Sequence, residues 1–267
     1  MTVNRPQFLD LTHAAVDDQA YDVLEPKYDG MWVTCVVRRG VLTLYSRSGR
    51  AKHTARVSLP DMVAVGEYLV GTTWACETGR KGQLVLFDLL SYRRSWWRRV
   101  DTTALPLAQR RAILARLLAS APTWIMLNEQ HAVADWRALW ATMVEQDGWE
   151  GLVFKQSDAP YGRAWGRLKR VMTTEYVCTG VNPGTGRYAG QAGSLRAALV
   201  GHTEEVCSVG GLTADLRQDA WQHPDRYVGC TFEAAGNTRF PSGALRHPRF
   251  IRWSVRGPSC QPFGVSE

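Results

Sequence analysis

The sequence is poor in lysine, with five lysines among 32 basic residues, the other 27 being arginine. It has no run of ~18 or more consecutive apolar residues, the length that a membrane-spanning helix needs, and its first residues lack the apolar core of a secretory signal. The six cysteines are scattered without a C-x-x-C pair, which argues against a zinc ribbon or a disulfide framework. These absences predict a protein without a membrane partner, located in the cytoplasm, or in the host cytoplasm if the source is a virus.

The few lysines that are present have a chemical meaning. Lysine can lose its proton and attack an electrophile, whereas arginine effectively cannot. Three of the five lysines, Lys27, Lys155 and Lys169, fall within sequence motifs described below. The net charge of +7 and the isoelectric point near 9.3 favour a polyanionic partner such as nucleic acid.

The pattern along the chain predicts two domains. With 267 residues and 45% hydrophobic content, the chain can form one large core or two modest ones. The first two-thirds alternates predicted strands and helices, including a hairpin that turns at Arg39-Gly40 and helices near residues 107–118 and 135–147. After about residue 172, short strands with Gly-rich breaks and one helix near Ala214–Trp221 indicate a small β-barrel. We therefore predict domains at residues 1–172 and 173–267.

The central motif is Glu25-Pro-Lys-Tyr-Asp-Gly30. A lone K-x-D-G pattern is weak evidence, because a surface lysine that enters an Asp-Gly turn has the same sequence. Here the motif is followed by further blocks in a fixed order. These blocks are Leu44-Tyr-Ser-Arg-Ser-Gly49, Ala75-Cys-Glu77, Leu86-Phe-Asp-Leu-Leu90, Glu150-Gly-Leu-Val-Phe-Lys155 and Arg163-Ala-Trp-Gly-Arg-Leu-Lys169.

Together these blocks resemble the ATP-dependent DNA ligases, which form the covalent nucleotidyltransferase superfamily with the RNA ligases and mRNA capping enzymes. The resemblance spans about residues 20 to 253, because later segments resemble the oligonucleotide-binding (OB) barrel of DNA ligases. Those segments are Gly184-Thr-Gly-Arg-Tyr188, Gly193-Ser-Leu195, Cys207-Ser-Val-Gly-Gly-Leu-Thr213 and Gly243-Ala-Leu-Arg-His-Pro-Arg-Phe-Ile-Arg252. The implied fold is α+β: an ATP-grasp-like nucleotidyltransferase (adenylation) domain of antiparallel sheets and helices, then an OB-fold β-barrel. The match is to the minimal two-domain ligases of bacteriophages and bacteria.

The chemistry implied by the resemblance begins with Lys27. Its amine attacks the α-phosphorus of ATP to give lysyl–AMP and pyrophosphate, AMP then moves to the 5′-phosphate of a nick, and the 3′-hydroxyl displaces it. A lysine at its reference pKa of ~10.4 is almost wholly protonated at neutral pH, so a lysine nucleophile needs neighbours that lower its pKa. The implied cofactors are ATP and Mg²⁺, with Mn²⁺ as a substitute, and the implied partner is nicked duplex DNA bound by a monomer. DNA replication, repair and recombination are the processes that use such an enzyme.

Residue roles also follow from the resemblance. The implied catalytic residues are Lys27, Asp29, Glu77, Glu150 and Lys169. Glu77 and Glu150 would hold the ribose or a divalent metal, since carboxylate oxygens suit Mg²⁺. The implied nucleotide-binding set is Glu25, Lys27, Arg47 at the ribose and phosphate, Glu77, Phe87 stacked on adenine, Glu150, and Lys155, Arg167 and Lys169 around the triphosphate. For Phe87 a purely structural place in an apolar strand is the alternative, and for the carboxylates and lysines it is a solvated surface position.

Two arginine-rich segments are candidates for DNA contact, since phosphate contacts need only charge and reach. The first combines Arg93, Arg94, Arg98 and Arg99 with Tyr92, Trp96 and Trp97. The second, near the C-terminus, includes Arg246, Arg249 and Arg252. A solvated loop anchored by its tryptophans is the alternative for the first segment.

Three positions depart from the family pattern. The third motif of the family commonly reads Asp-Gly-Glu, but this chain has Ala75-Cys-Glu77. In the fifth motif, Arg167 replaces the first lysine. The final Arg-x-Asp-Lys of the family is replaced by Trp253-Ser-Val-Arg-Gly-Pro. The sequence therefore leaves two alternatives open: an RNA ligase or RNA-capping guanylyltransferase, and a nucleic-acid-binding relative without catalysis.

Overall fold

A computed structural model of the chain describes residues 6–17, 20–69, 81–95, 97–237 and 239–255. These residues form mostly β-sheet with few helices, and they group into two compact units, Met1–Lys169 and Arg170–Glu267. Within the described residues, no helix has the length and apolar character needed to cross a membrane.

The strands in chain order are β1 (Phe8–Asp10), β2 (Val23–Lys27), β3 (Met31–Arg38), β4 (Val41–Tyr45), β5 (Ala51–Arg56), β6 (Met62–Tyr68), β7 (Leu84–Arg93), β8 (Arg99–Asp101), β9 (Ile125–Leu127), β10 (His131–Ala132), β11 (Gly151–Lys155), β12 (Trp165–Lys169), β13 (Met172–Pro183), β14 (Ala192–Leu199), β15 (Glu205–Val209), β16 (Thr231–Gly236) and β17 (Arg249–Val255). The α-helices are α1 (His13–Asp17), α2 (Leu107–Leu117), α3 (Trp136–Leu139) and α4 (Ala214–Gln222).

The first unit contains two sheets. One has the strand order β1-β12-β11-β2-β10, in which β1 runs parallel to β12 and the other neighbours are antiparallel. The other has the order β5-β4-β3-β6-β7-β8, with β9 paired parallel to β7. The strands β2, β11 and β12 are mostly buried, because helical segments and the second sheet cover them.

The two faces of the larger sheet have separate apolar cores, as the alternation of side chains along a strand requires. One face packs Leu84 and Leu86 of β7 against Leu114 of α2. The opposite face carries Trp32 and Phe87, which pack against Trp165 of the other sheet. This aromatic cluster joins the two sheets of the unit and lines the cleft described below.

The second unit is a five-stranded antiparallel sheet with the order β15-β14-β13-β16-β17. Helix α4 lies between β15 and β16 in the chain, and the Thr213 hydroxyl caps it by accepting a hydrogen bond from the Leu216 amide at 3.3 Å. A parallel bridge between Gly210 and Arg249 brings the two edge strands together. Among the described residues this bridge is all that joins the edges, so the expected closed barrel is not shown.

Several sequence predictions can be compared with these elements. The hairpin at Arg39-Gly40 is confirmed as the β3–β4 turn, and the helix near Ala214–Trp221 is confirmed as α4. The helix predicted for residues 135–147 is instead α3 followed by a π-helix, Trp140–Gln146. Cys35, Cys178 and Cys207 are free thiols, and Cys230 is disulfide-bonded.

Candidate active site

Lys27, Glu150 and Lys169 meet at the ends of three adjacent strands. Gly151, the first residue of β11, lies opposite Lys27 on β2 and Lys169 on β12. The Lys27 Nζ lies 2.5 Å from Glu150 Oε2, and the Lys169 Nζ lies 2.9 Å from Glu150 Oε1. The Glu150 carboxylate is therefore held between two ammonium groups, one on each oxygen.

Gly151 is required for this approach of the strands. Its φ is 155°, and a Cβ at this position would lie 2.1 Å from the Leu168 carbonyl oxygen. Any other residue would push β12 away from β11. The Glu150-Gly151 pair thus places a carboxylate at the point where the backbones of β11 and β12 are closest.

The electrostatics of Glu150 reflect its two partners. Burial raises the pKa of the carboxyl group, but the charges and hydrogen bonds of Lys27 and Lys169 outweigh burial and hold the pKa below its ordinary value. Glu150 is therefore a carboxylate at neutral pH, and it offsets the charge of two lysines that would otherwise repel each other.

A second buried ion pair lies deeper between the same strands. The Lys155 Nζ donates to Glu25 Oε2 at 2.6 Å, and both side chains are almost completely buried. Glu25 also accepts hydrogen bonds from the side-chain amides of Asn128, at 3.1 Å, and Gln130, at 2.8 Å. The ammonium group of Lys155, which is predicted to surround the triphosphate, is thus enclosed by Glu25 and by aromatic rings at the cleft.

The surroundings of Lys155 are unusually apolar for an ammonium group. Its Nζ lies 4.0 Å from the ring centroid of Trp165 and 5.1 Å from that of Phe87. Burial lowers the pKa of Lys155, and the charge of Glu25 opposes this shift only in part. The pair is a structural element at the floor of the cleft.

The cleft itself is narrow and aromatic. A cavity of about 30 Å³ is lined by Phe8, Glu25, Pro26, Lys27, Tyr28, Trp32, Glu67, Phe87, Asn128, Val153, Lys155 and Trp165. Phe87 is 8% exposed, and its ring centroid lies 5.1 Å from that of Trp32 and 6.0 Å from that of Trp165. Phe87 is thus a core residue, as in the structural alternative given above. It also forms a wall of the cleft that contains Lys27.

Arg167 is fixed by a residue that the sequence did not single out. It forms a two-pronged ion pair with Asp10 of β1, with one contact of 2.9 Å between Nη2 and Oδ2, and it lies 5.4 Å from the ring centroid of Phe8. The planar guanidinium has two donors that match a carboxylate, which the lysine of the family motif would lack. The parallel β1–β12 pairing therefore explains how an arginine is accommodated here.

The remaining predicted residues are more dispersed. Asp29 is half-buried in the turn after β2, and Arg47 is exposed in the turn after β4. Glu77 lies outside the described residues, as do Trp96 and the segment after Val255. Within the part of the chain that is described, no three His, Cys, Asp or Glu side chains cluster in the way of a metal site.

Sequence reasoning missed Glu67, a buried carboxylate that lines the same cleft as Lys27. It lies on β6 opposite Trp32. The preceding Gly66 has no room for a Cβ, which would lie 2.3 Å from the Val85 carbonyl oxygen. The signal was the dipeptide Gly66-Glu67, since Val65-Gly66-Glu67 differs from the Asp-Gly-Glu of the family motif at one position only.

One protein-family model matches part of this chain. Residues 76–171 match the model of the ATP dependent DNA ligase domain. The chain contains an ATP-dependent DNA ligase domain. Its enzyme class is that of the ATP-dependent DNA ligases, and ATP is the nucleotide of this family. The ligase-domain match includes Phe87, Glu150, Lys155, Arg167 and Lys169.

Solved structures show the same fold. A structure titled "DNA binding with a minimal scaffold: Structure-function analysis of Lig E DNA ligases" has 17% sequence identity and a TM-score of 0.69, and the match covers 94% of this chain and all of the other. The structure titled "Pmar-Lig_PreS3" has 19% identity and a TM-score of 0.66, with 93% of this chain and 67% of the other covered. No curated protein matches the chain by sequence.

The arginines predicted to contact DNA lie in both units of the ligase. Arg93 ends β7, Arg94 and Arg98 lie in the turn that follows, and Arg99 begins β8. In the second unit, Arg249 and Arg252 lie on β17, where Arg252 pairs with Glu233 at 3.0 Å. Arg246 is half-buried before β17, and burial lowers its pKa. The exposed members of both groups are accessible to a polyanion.

Proposed function

We propose that this ligase seals nicks with 5′-phosphate and 3′-hydroxyl ends in duplex DNA, through lysyl–AMP on Lys27 and a 5′-adenylylated DNA intermediate. The observation that supports this most is the arrangement of Lys27, Glu150 and Lys169 at one strand end beside an aromatic cleft. A nucleophilic amine, a carboxylate that orients it and a second cation for phosphate charge are the groups that nucleotidyl transfer needs.

In the first step the neutral Lys27 amine attacks the α-phosphorus of ATP. A nitrogen–phosphorus bond forms, the bond to the bridging oxygen breaks, pyrophosphate leaves and the amine proton is released. Glu150 is a weak base, because Lys27 and Lys169 hold its pKa below the ordinary value despite burial, which raises it. Its role is to orient the Lys27 amine, while Lys169 and Arg167 offset the charge of the phosphates.

The cleft is the proposed nucleotide site. Phe87 is the proposed adenine-stacking residue, and the aromatic rings around it must move apart to admit a base, since the cavity holds only about 30 Å³. Arg47 is the proposed ribose and phosphate contact. We assign to Glu67 the ribose or metal role that the sequence gave to Glu77, because Glu67 is buried in the cleft that contains Lys27.

The residues present fit a divalent metal. Mg²⁺ binds through one or two carboxylates together with substrate phosphates. Glu67, which lines the cleft, and Glu150, which contacts Lys27, would supply hard oxygen donors. Bound there, Mg²⁺, or Mn²⁺ in its place, would neutralise phosphate charge as the pyrophosphate separates.

The second unit is proposed to be an OB fold that grips the DNA. Five antiparallel strands, a helix between the third and fourth in chain order, and a parallel bridge between the sheet edges support this assignment. Arg246, Arg249 and Arg252 are its proposed phosphate contacts. We propose a monomer that acts in the cytoplasm on DNA breaks from replication, repair or recombination, with domains divided near residue 172.

The proposal is tested by sealing a 5′-phosphorylated nick in duplex DNA with ATP and Mg²⁺. We expect the wild type and Lys81→Ala, a matched exposed lysine, to seal, and Lys27→Ala to lose sealing with ATP. Because the final displacement needs no lysine nucleophile, Lys27→Ala should still seal a pre-adenylylated nick. ATP-dependent sealing by Lys27→Ala would refute the assignment of the nucleophile. Failure of the wild type on both substrates would instead favour an RNA substrate or a non-catalytic role.

A further inference from the structure

We propose that four arginines on one face of the larger sheet bind backbone phosphates of duplex DNA about five base pairs from the nick. These residues, Arg38, Arg56, Arg93 and Arg99, are called the arginine face below. The inference rests on the proposed function, since it deepens the description of the DNA substrate. Arg38 and Arg56 were not among the residues predicted to contact DNA.

The strand register places Arg38 on the same face as the nucleotide cleft. Trp32 and Val36 of β3 both belong to the aromatic cluster that contains Phe87. Side chains two residues apart on a strand share a face, so Arg38 continues the row from Trp32 and Val36. Arg38 lies opposite Val41 of β4, and Val41 lies opposite Arg56 of β5, which extends the face across three strands.

The register also brings the β7–β8 hairpin onto this face. Val63 of the aromatic cluster lies opposite both Val36 and Ser91. Arg93 follows Ser91 by two residues and lies opposite Arg99 of β8. Arg99 donates two hydrogen bonds to the Ser91 hydroxyl, at 3.0 and 2.7 Å, which fix its guanidinium on the face.

The arginine face has a shape that admits an extended ligand. A groove of about 450 Å³ is lined by Arg38, Arg93 and Arg99, and beside it lies a depression of about 180 Å³ lined by Arg38, Val41 and Thr43. Trp97, whose side chain is 71% exposed, forms one wall of the groove. An exposed tryptophan of this kind can pack against a deoxyribose while the arginines contact phosphates.

The charge balance of the face favours a polyanion. Two carboxylates lie among the four arginines, Asp61 and Asp101. Asp61 pairs with Arg93 at 3.4 Å and also accepts the Arg39 amide, whereas Asp101 is held by Thr103. After the hydrogen bonds of Thr103, the charge of Arg99 also helps to lower the pKa of Asp101. Four arginines against two carboxylates still leave a net positive charge on the face. The arginines are spread over four strands instead of converging on one point, which suits a row of phosphates better than a single small anion.

The distance from the active site follows from strand geometry. Glu67 lines the nucleotide cleft, and Met62 lines the groove at the other end of β6. Five residues of strand span ~17 Å at ~3.4 Å per residue. Phosphates along one DNA strand advance ~3.4 Å per base pair along the helix axis, so the groove lies about five base pairs from the reacting phosphate.

The test uses the Lys27→Ala protein, which is expected not to seal with ATP, as the parent protein. Its binding is measured to nicked duplexes in which the double-stranded arm on each side of the nick is shortened separately. Two double variants are made in this parent protein. One combines Arg38→Ala with Arg56→Ala, and the other combines Arg38→Ala with Arg99→Ala. The matched control is Arg116→Ala, an exposed arginine on α2 that packs against the opposite face. Thermal unfolding midpoints check that every variant is folded.

We expect each double variant to bind the long-armed nick about tenfold more weakly, with a salt slope reduced by about 2, since each phosphate contact contributes ~0.9. Shortening one of the two arms below about five base pairs should lower the affinity of the parent protein for the nick. The parent protein and the double variants should then bind this shortened duplex equally well. Unchanged affinity and slope in both folded variants, or an equal loss with Arg116→Ala, would overturn the proposal. Sealing by the wild type is measured separately: face-dependent binding without sealing would contradict the proposed function and leave the arginine face intact.

Discussion

Glu150 shows how one residue connects stability to the proposed chemistry. Its two oxygens contact Lys27 and Lys169, and these lysines lower its pKa even though burial raises it. A carboxyl group with a lowered folded-state pKa stabilises the protein above its unfolded-state pKa of ~4.3, and this contribution is lost as the pH falls through the folded-state value. We therefore expect a steeper acid destabilisation in the wild type than in Glu150→Gln below about pH 4.

Urea unfolding between neutral and acidic pH provides the measurement. The stability difference between wild type and Glu150→Gln should stay constant above the unfolded-state pKa and shrink below it. Glu145→Gln, which alters a carboxylate that accepts from Trp140 instead of lysines, serves as the comparison. A difference that grows on acidification would show that the lysines do not control Glu150.

Asp10 gives a second prediction at the residue scale. Its carboxylate aligns the Arg167 guanidinium, which is proposed to face the triphosphate. In Asp10→Asn the two-pronged pairing is lost, so we expect the KM for ATP in self-adenylylation to rise about tenfold, as for the loss of about 1.4 kcal/mol of binding. Sealing of a pre-adenylylated nick, which uses no triphosphate, should keep its rate. An equal loss in both assays would mean that Asp10 supports the fold only.

Motifs in the sequence mark candidate residues that lie far apart along the chain. Lys27, Glu150 and Lys169 were singled out by motif alone, and the structure brings them together. The partner of Arg167 could not be predicted, because the parallel pairing of β1 with β12 joins segments more than 150 residues apart. The burial of Lys155 was also missed, since a lysine beside a strand end gives no sign in the sequence that Glu25 and two aromatic rings enclose it.

At the scale of elements, α2 is fastened to β7 by a buried arginine. Arg110 is completely buried, its side chain contacts both oxygens of Asp88 at 2.7 and 2.9 Å, and it also donates to the Ala159 carbonyl at 3.0 Å. Asp88 is the neighbour of Phe87, so the helix helps to set the wall of the cleft. A lysine in place of Arg110 would lose the fork and leave buried acceptors without donors.

Arg110→Lys should therefore destabilise the protein by about 3 kcal/mol, in the range measured when a buried ion pair is broken. Arg116→Lys, at an exposed position of the same helix, should change stability by less than about 0.5 kcal/mol. Urea unfolding of the two variants checks the contrast. Equal, small effects would indicate that Arg110 contributes little to the attachment of α2.

Elements with strong local patterns were predictable, and elements set by distant contacts were not. The β3–β4 hairpin follows from alternating residues around Arg39-Gly40, where both residues have positive φ. The segment Trp140–Gln146 has a helical pattern, yet it is a π-helix that continues α3. Trp140 and Val144 of this segment are buried in the core, and a periodicity close to 3.6 residues does not distinguish a π-helix from an α-helix.

For the whole molecule, the arginine content predicts binding that depends on salt. The nine arginines assigned to DNA contact, including Arg38 and Arg56, would give a slope no steeper than about −8 when log affinity is plotted against log salt, at ~0.9 per contact. Binding of Lys27→Ala to a nicked duplex at increasing NaCl, followed by fluorescence anisotropy, measures this slope. A slope near zero would contradict backbone recognition, whatever the affinity at low salt.

The sequence predicts a division near residue 172, because short strands with Gly-rich breaks begin there. The two compact units of the structure are Met1–Lys169 and Arg170–Glu267. The closed barrel expected for the second unit is not shown among the described strands, where one bridge links the edges. Closure depends on long-range pairing between β15 and β17, which no local pattern encodes.

The parallel pairing of β1 with β12 has a practical consequence for anyone who labels this protein. Phe8 lines the nucleotide cleft, Asp10 holds Arg167, and the Leu11 amide donates to the Arg167 carbonyl at 2.9 Å. We expect a tag or fluorophore joined directly before Phe8 to lie beside this cleft and to hinder the entry of the nucleotide proposed to bind there.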